Sequence, residues 1–243
     1  MTNTTDPSAT AHEHAPTLRL YFPQWQGAGV ESIRELFSEV PLEEARRGYA
    51  VGTAVLGAVL PAHSGPTALV PVEFGDTGLG KQDGIEAKEA VVAQLAAALE
   101  VIGRHNPGRI LTLGGECSVS VAPFSWLAER YGDDLAVLWI DSHPDVGTPA
   151  SRYSGYHAMA VAVLTGHGDP EVLGLLPATL DPGRVALVGL HAWTEDDFPN
   201  IARWGIRSFR PDELHLSSQP LLEWRKRVGV LACGHPFRCR CRR

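Results

Sequence analysis

Long apolar runs are missing from this chain: none approaches the ~18 residues that a membrane-spanning helix needs, so no membrane is expected as a partner. The first sixteen residues have no apolar h-region either. They are rich in Thr, Ser, Asp and His, which reads as a disordered tail (1–16) rather than a secretory signal, with the cytoplasm as the expected location. His12 and His14 flank Glu13 there, a pairing that in a floppy tail is far more often solvated than metal-bound. Basic residues are short as well. The net charge of −7 leaves no basic face for phosphates, so nucleic acid is not expected as a partner. Cysteine is scarce, and three of its four copies crowd into the last fifteen residues beside Arg238, Arg240, Arg242 and Arg243, with no acid among them. The remainder of the chain therefore carries −11. Cys233, His235, Cys239 and Cys241 do not follow the usual zinc-finger spacings.

There is no repeat of fixed period and no internal Pro/Gly-rich linker, so 17–228 reads as one domain. The whole chain's 44% apolar and 20% charged content suits a globular protein. Apolar runs at 18–22, 51–55, 109–113, 135–141 and 184–189, and a shorter one at 206–209, read as strands. They are continuously apolar rather than alternating, as in a parallel sheet covered on both faces. The clearest helix lies between the second and third runs. Asp83 and Glu86 resemble a capping box, Val92, Leu95, Leu99 and Ile102 recur at helical spacing, and Gly103 suits the stop. Further helices are expected over 119–130, 157–164, 196–203 and 221–227. Such alternation implies an α/β fold with right-handed crossovers, in which ligands bind beyond the carboxyl ends of the strands.

Those ends carry the chemistry, and Gly114–Cys117 and Asp141–Asp145 are expected at the carboxyl ends of neighbouring strands. The run 135–140 leads into Asp141-Ser142-His143-Pro144-Asp145, where Pro144 and Gly147 allow a turn that brings alternate side chains together. Two carboxylates and an imidazole suit Mn²⁺, Fe²⁺ or Zn²⁺; a strand end with surface charges is the plainer alternative. The run 109–113 leads into Gly114-Gly115-Glu116-Cys117-Ser118, a glycine pair that permits close backbone approach or simply a turn into a helix. Ser154-Gly155-Tyr156-His157-Ala158 places a histidine at a helix start.

In order, spacing and strand context these motifs resemble those of the arginase (ureohydrolase) family, which carries G-G-D-H-S, then D-A-H-x-D, then S-G-x-x-H-G. Here they are G-G-E-C-S at 114–118, D-S-H-P-D at 141–145 and S-G-Y-H-A at 154–158. The stretch 187–214 also looks like that family. The resemblance implies a three-layer α/β fold with a mostly parallel central sheet. It implies that Asp141 bridges two metal ions, with His143 on one and Asp145 on the other, and that His157 shuttles protons. It further implies that a metal-activated hydroxide attacks the planar carbon of a small guanidino or amidine substrate. Mn²⁺ is the implied metal. Assembly with further copies of the chain is left open.

The sequence also departs from the family. Cys117 stands at a metal-binding histidine's place, and as a thiolate ligand it favours Zn²⁺ or Fe²⁺ over Mn²⁺; it could equally be a small buried residue that binds nothing. Glu116 replaces an aspartate. Gly147 replaces the asparagine with which arginases read the amino-acid head of arginine, which argues against arginine as substrate. The family's final strand into Asp-x-Asp is not met in frame. Shifted codons across the tail are compatible with S-S-H-V-A-I-H-F-D-V-D-V, so 229–243 is expected to be an out-of-frame tail and the last strands of the sheet missing. A zinc-binding or basic targeting tail ranks below that reading. The expectation is that residues after Val230 form no regular strand, or one that buries its arginines poorly, and that the chain as it stands is impaired in metal binding and turnover. A non-catalytic ligand- or partner-binding relative is the alternative. Deacetylation on a related fold ranks lower, since the tandem histidines it requires are not seen.

Overall fold

The computed structural model describes residues 16–229 and 232–234. Two parallel ladders form its centre. In the first, β1 (Thr17–Phe22) lies between β2 (Thr67–Leu69) and β5 (Arg109–Gly114), in register from Thr17↔Arg109 to Phe22↔Gly114. In the second, β6 (Leu135–Ile140) and β7 (Val185–Val188) are central, with β8 (Arg207–Phe209) beyond β7 and β9 (Ala232–Gly234) beyond β6. A small antiparallel hairpin, β3 (Lys81–Gln82) and β4 (Ile85–Glu86), stands apart.

The period of two along the strands separates the layers. Leu135, Val137 and Trp139 face one core with Leu18, Leu20, Phe22, Leu95 and Ile102. Ala136 and Leu138 face a second core with Val188, Phe209 and Trp224. The first core is covered by α3 (Lys88–His105), α4 (Val121–Tyr131) and α5 (Ala160–Leu164); the second is covered by α9 (Gln219–Val228). Burying each Leu, Val or Phe of this kind contributes about 1.5–3 kcal/mol, so the strands are held chiefly by what covers them.

Three expectations from the sequence fail here, each for a physical reason. The apolar run 51–55 is not a strand; it lies inside α2 (Leu42–Val59). Pro41 at the N-cap and Glu43 and Glu44 in the first turn start that helix, which buries Arg46, Ala50 and Thr53 and leaves Val51 and Val55 exposed. The strand in that part of the chain is β2, too short to register as an apolar run. Asp83 and Glu86 do not cap a helix. Asp83-Gly84 is the turn of the β3–β4 hairpin, both residues at positive φ (48° and 83°), as an Asp-Gly type I′ turn requires. The helix instead begins at Lys88, whose buried ammonium pairs with Asp83 (2.7 Å), Asp169 (3.0 Å) and Glu171 (3.0 Å). Gly114–Cys117 and Asp141–Asp145 were expected at the ends of neighbouring strands, yet β5 and β6 belong to different ladders. Beyond Val230 the tail supplies a short strand, which leaves the second of the two outcomes expected there: β9 pairs with β6 from Leu135↔Ala232 to Val137↔Gly234. Ladder pairing uses the N–H and C=O groups that every non-proline residue carries, so an open edge accepts a backbone of almost any sequence. Arg238, Arg240, Arg242 and Arg243, like the tail 1–15, lie outside the described residues.

Shorter helices complete the chain: α1 (Val30–Leu36), α6 (Pro170–Leu175), α7 (Phe198–Trp204) and α8 (Pro211–Leu216). Among the described residues, no helix is long and apolar enough to cross a membrane.

Candidate metal centre

Although β5 and β6 are not paired, the loops leaving their carboxyl ends meet. The Gly115 amide donates to Phe22 O (3.1 Å), and a methyl group at Gly115 would overlap the Gln24 carbonyl, so only glycine lets the chain pass so close to the loop that follows β1. The next residue, Glu116, is buried and caps a 3-10 turn at Cys117–Ser120, its carboxylate accepting from Ser118 N (2.7 Å) and the Ser118 hydroxyl. Burial pushes its pKa up to about 7, against the opposing hydrogen bonds from Ser118 and from the Gly27 amide. That turn aims Cys117 at the end of β6.

At the end of β6, Asp141 folds back on itself. Its Oδ1 accepts from the His143 amide (2.9 Å) and the Ser142 hydroxyl (3.3 Å), and its Oδ2 lies 3.8 Å from Cys117 Sγ. Asp145 adopts a left-handed backbone conformation (φ 48°), uncommon outside glycine, and so turns its side chain inward. Its carbonyl anchors the start of α5 by accepting from Val161 N (2.9 Å) and Ala162 N (3.2 Å). Ligand atoms of Cys117, Asp141 and Asp145 all lie within 4.8 Å of one another. Asp145 Oδ2 is buried without a hydrogen-bond partner. Burial pushes the Asp145 carboxyl well above its ordinary range, with repulsion from Asp141 adding to it. The Cys117 thiol rises for the same reasons, burial first and then Asp145 and Asp141.

This donor set fits a divalent cation. Acidic groups converge at a half-buried spot, burial favours the protonated forms of Cys117 and Asp145, and one carboxylate oxygen has no partner. A cation would displace those protons and satisfy that oxygen together. His143 is not part of the cluster. Its side chain is 61% exposed, with Nδ1 3.0 Å from the Ser142 hydroxyl and 3.4 Å from Asp141 Oδ1.

His157 is placed by its backbone, whose amide donates to Gly27 O (3.1 Å), and by its ring, whose Nε2 lies 2.8 Å from Tyr153 Oη. Burial pushes its pKa down to about 4, His143 adding to the shift and Asp141 opposing it. Residue types alone did not single out Tyr153, or Tyr49 on α2, whose pKa is raised by burial and then by Cys117 and Glu116. The only trace of Tyr153 in the sequence is its position four residues before His157. The third motif also differs in length: Gly155 and His157 are separated by a single residue where the family pattern has two.

Three comparisons bear on this arrangement. The model of a family described as the arginase family matches residues 48–229. An arginase of Eremothecium gossypii is 36% identical over 109 residues, 43% of this chain and 27% of that protein. An arginase of Staphylococcus aureus (strain COL) is 30% identical over 131 residues, 54% of this chain and 41% of that protein. The matched stretches thus span less than half the length of these relatives. In fold, the chain is similar to the crystal structure of Entamoeba histolytica arginase in complex with L-ornithine, with a TM-score of 0.67 at 17% identity over 90% of this chain and 74% of that one.

Proposed function

The chain belongs to the arginase family, and from that premise we propose that it is a metal-dependent hydrolase of a C–N bond in a small linear amidine or guanidino compound. The observation that carries the proposal is the convergence of Cys117, Asp141 and Asp145 on one half-buried spot, with Asp145 Oδ2 buried and unpartnered. In this reading Cys117, Asp141 and Asp145 hold the cation. His143 joins them only by turning its exposed ring inward about its side-chain torsions. A bound divalent cation supplies Lewis acidity and a low-pKa water at neutral pH. Mn²⁺ is the family's metal, and the thiol of Cys117 shifts the preference toward Zn²⁺ or Fe²⁺.

The chain's own groups account for the rest. Asp141 and Asp145 counter the positive charge of a guanidinium or amidinium, which favours a cationic substrate at this spot. His157 is held neutral at pH 7, so a proton that reaches its ring is readily released, as a donor to a leaving amine must do. Gly147 argues for a substrate other than arginine. A methyl group there would stand 2.9 Å from Ala158 O and 3.3 Å from Asp197 Oδ2, so this corner is closed by backbone and carboxylate rather than by a side chain that reads an amino-acid head.

One observation favours a second reading, a non-catalytic ligand-binding relative: His143 faces outward, which leaves three ligand residues in the cluster found among the described residues. A single set of measurements separates the two. Metal bound per chain is determined after loading with Mn²⁺ or Zn²⁺, for the native chain and Asp141→Ala, and urea or amine release is followed over a panel of guanidino and amidine compounds. The hydrolase reading, with this chain impaired, expects reduced but measurable bound metal that Asp141→Ala loses, together with weak turnover of at least one compound. Unchanged metal content in Asp141→Ala sinks the site. Bound metal without turnover leaves the binding protein.

A further inference from the structure

We infer that Tyr153 is the positioning residue of His157: its phenol donates to Nε2 and holds the imidazole in the Nδ1–H tautomer. The inference rests on the reading of His157 as the group that moves a proton. Its evidence lies elsewhere, in the seat built around the phenol.

Tyr153 Oη makes two hydrogen bonds of fixed geometry. The Gly29 amide lies 3.1 Å away and can only donate, so it takes a lone pair of the oxygen. His157 Nε2 lies 2.8 Å away, and the rings meet edge to face, with centroids 5.5 Å apart and planes at 78°. Burial pushes the phenol's pKa up to about 12, and a hydrogen bond with the Ser32 side chain opposes that rise. With the Gly29 amide already on the phenol oxygen, and a phenol a better donor than acceptor toward a neutral imidazole, the phenol proton goes to Nε2, which is then an acceptor and leaves the ring's own proton on Nδ1.

Two glycines make room for this contact. A methyl group at Gly29 would stand 2.6 Å from Tyr153 Oη; at Gly155 it would stand 2.6 Å from ring carbon Cε1 and overlap the hydroxyl. Neither residue needs glycine for its backbone, since φ is −68° at Gly29 and −67° at Gly155, angles open to any amino acid. Space for the phenol therefore accounts for both. The seat draws on two separate parts of the chain: the loop after β1 where it enters α1, and the turn that carries His157. A side chain that merely filled space would not require a polar atom at the point where they meet.

The function of such a seat is to keep one nitrogen of His157 occupied and the other defined. A neutral imidazole that can flip or exchange tautomers presents a donor part of the time and an acceptor the rest. Locked by Tyr153, it presents one role only, and a proton taken or given at the free nitrogen is matched by the hydrogen bond at Nε2.

The test is nitrogen-15 NMR of the full chain labelled at histidine, free of metal and substrate, at pH 7. The His157 signals are identified by their loss in His157→Gln. The expected spectrum has Nε2 as the unprotonated, hydrogen-bond-accepting nitrogen and Nδ1 carrying the proton. In Tyr153→Phe, and in Gly155→Ala, which displaces the hydroxyl while keeping the tyrosine, the His157 signals move toward a mixture of tautomers. An Nε2–H tautomer in the native chain overturns the inference. So does a Tyr153→Phe or Gly155→Ala spectrum in which His157 is unchanged. The native tautomer requires no variant, so poor folding of a variant does not leave the question open. The measurement involves no turnover. A locked tautomer in a chain that hydrolyses nothing would refute the hydrolase reading alone, whereas a mobile tautomer in an active enzyme would refute only the role of Tyr153.

Discussion

Replacing Glu116 by glutamine removes a carboxyl group whose burial makes the stability of the metal-free chain depend on pH. In the folded protein its pKa stands at about 7 against an ordinary 4.5, with burial as the chief cause. Because the folded value is the higher one, the group's favourable contribution is fully present below about pH 4.5 and is lost as pH rises through about 7. Over that interval, at about 1.36 kcal/mol per pH unit, the loss amounts to roughly 3 kcal/mol. The assay is urea denaturation of the chelator-treated chain at a series of pH values from 4.5 to 8, for native and Glu116→Gln proteins. The native chain should lose stability across the series, and Glu116→Gln should lose roughly 3 kcal/mol less. Asp145 is shifted in the same sense by burial and by Asp141, so part of the native slope should survive the substitution. Absolute stability is not the readout. The amide cannot accept at both former oxygen positions, where Ser118 and Gly27 donate, and Glu116→Gln should therefore be less stable than the native chain at low pH. The reasoning is refuted if the two proteins show the same pH slope.

Lys88→Met should cost about 3–5 kcal/mol in chemical denaturation, because it leaves the buried carboxylate of Asp169 without its counter-charge; adding Asp169→Asn should recover part of that loss. No recovery in the double variant would mean that the lysine acts through packing alone. Cys117→His should tighten Mn²⁺ binding on the order of tenfold, about 1.4 kcal/mol, as read by titration calorimetry. Unchanged affinity would place residue 117 outside the coordination sphere.

Much of this molecule was legible before any coordinates. Buried parallel strands announce themselves as continuous apolar runs, and β1, β5, β6, β7 and β8 all lie where such runs stand. The loops worth inspecting follow from the rule that ligands bind beyond the carboxyl ends of strands, and Gly114–Ser118 and Asp141–Asp145 are those loops. What misled the reading was local ambiguity. The run 51–55 is as apolar as a strand, and the charges that start α2 lie about two turns earlier, so a short window reports the wrong period. Asp83 and Glu86 have the spacing of a capping box, but the Asp-Gly pair between them makes a hairpin turn at positive φ, which outweighs it.

The sequence by itself determined which residues could do chemistry and in what order they occur, because strand, turn and ligand preferences are properties of neighbours along the chain. Only the tertiary structure decided which of them meet. Cys117 and Asp141 come from ladders that are not paired, and Asp145 reaches them through a left-handed backbone angle that no composition announces. His143 stands in the same motif as Asp141 and Asp145, yet its exposed ring lies outside their cluster. Tyr153 gains its place beside His157 because Gly29, more than a hundred residues away in sequence, leaves room for its hydroxyl and donates to it. Such meetings are set by how layers pack and where loops cross. Those are properties of the whole fold, and residue types and spacings along the chain do not encode them locally.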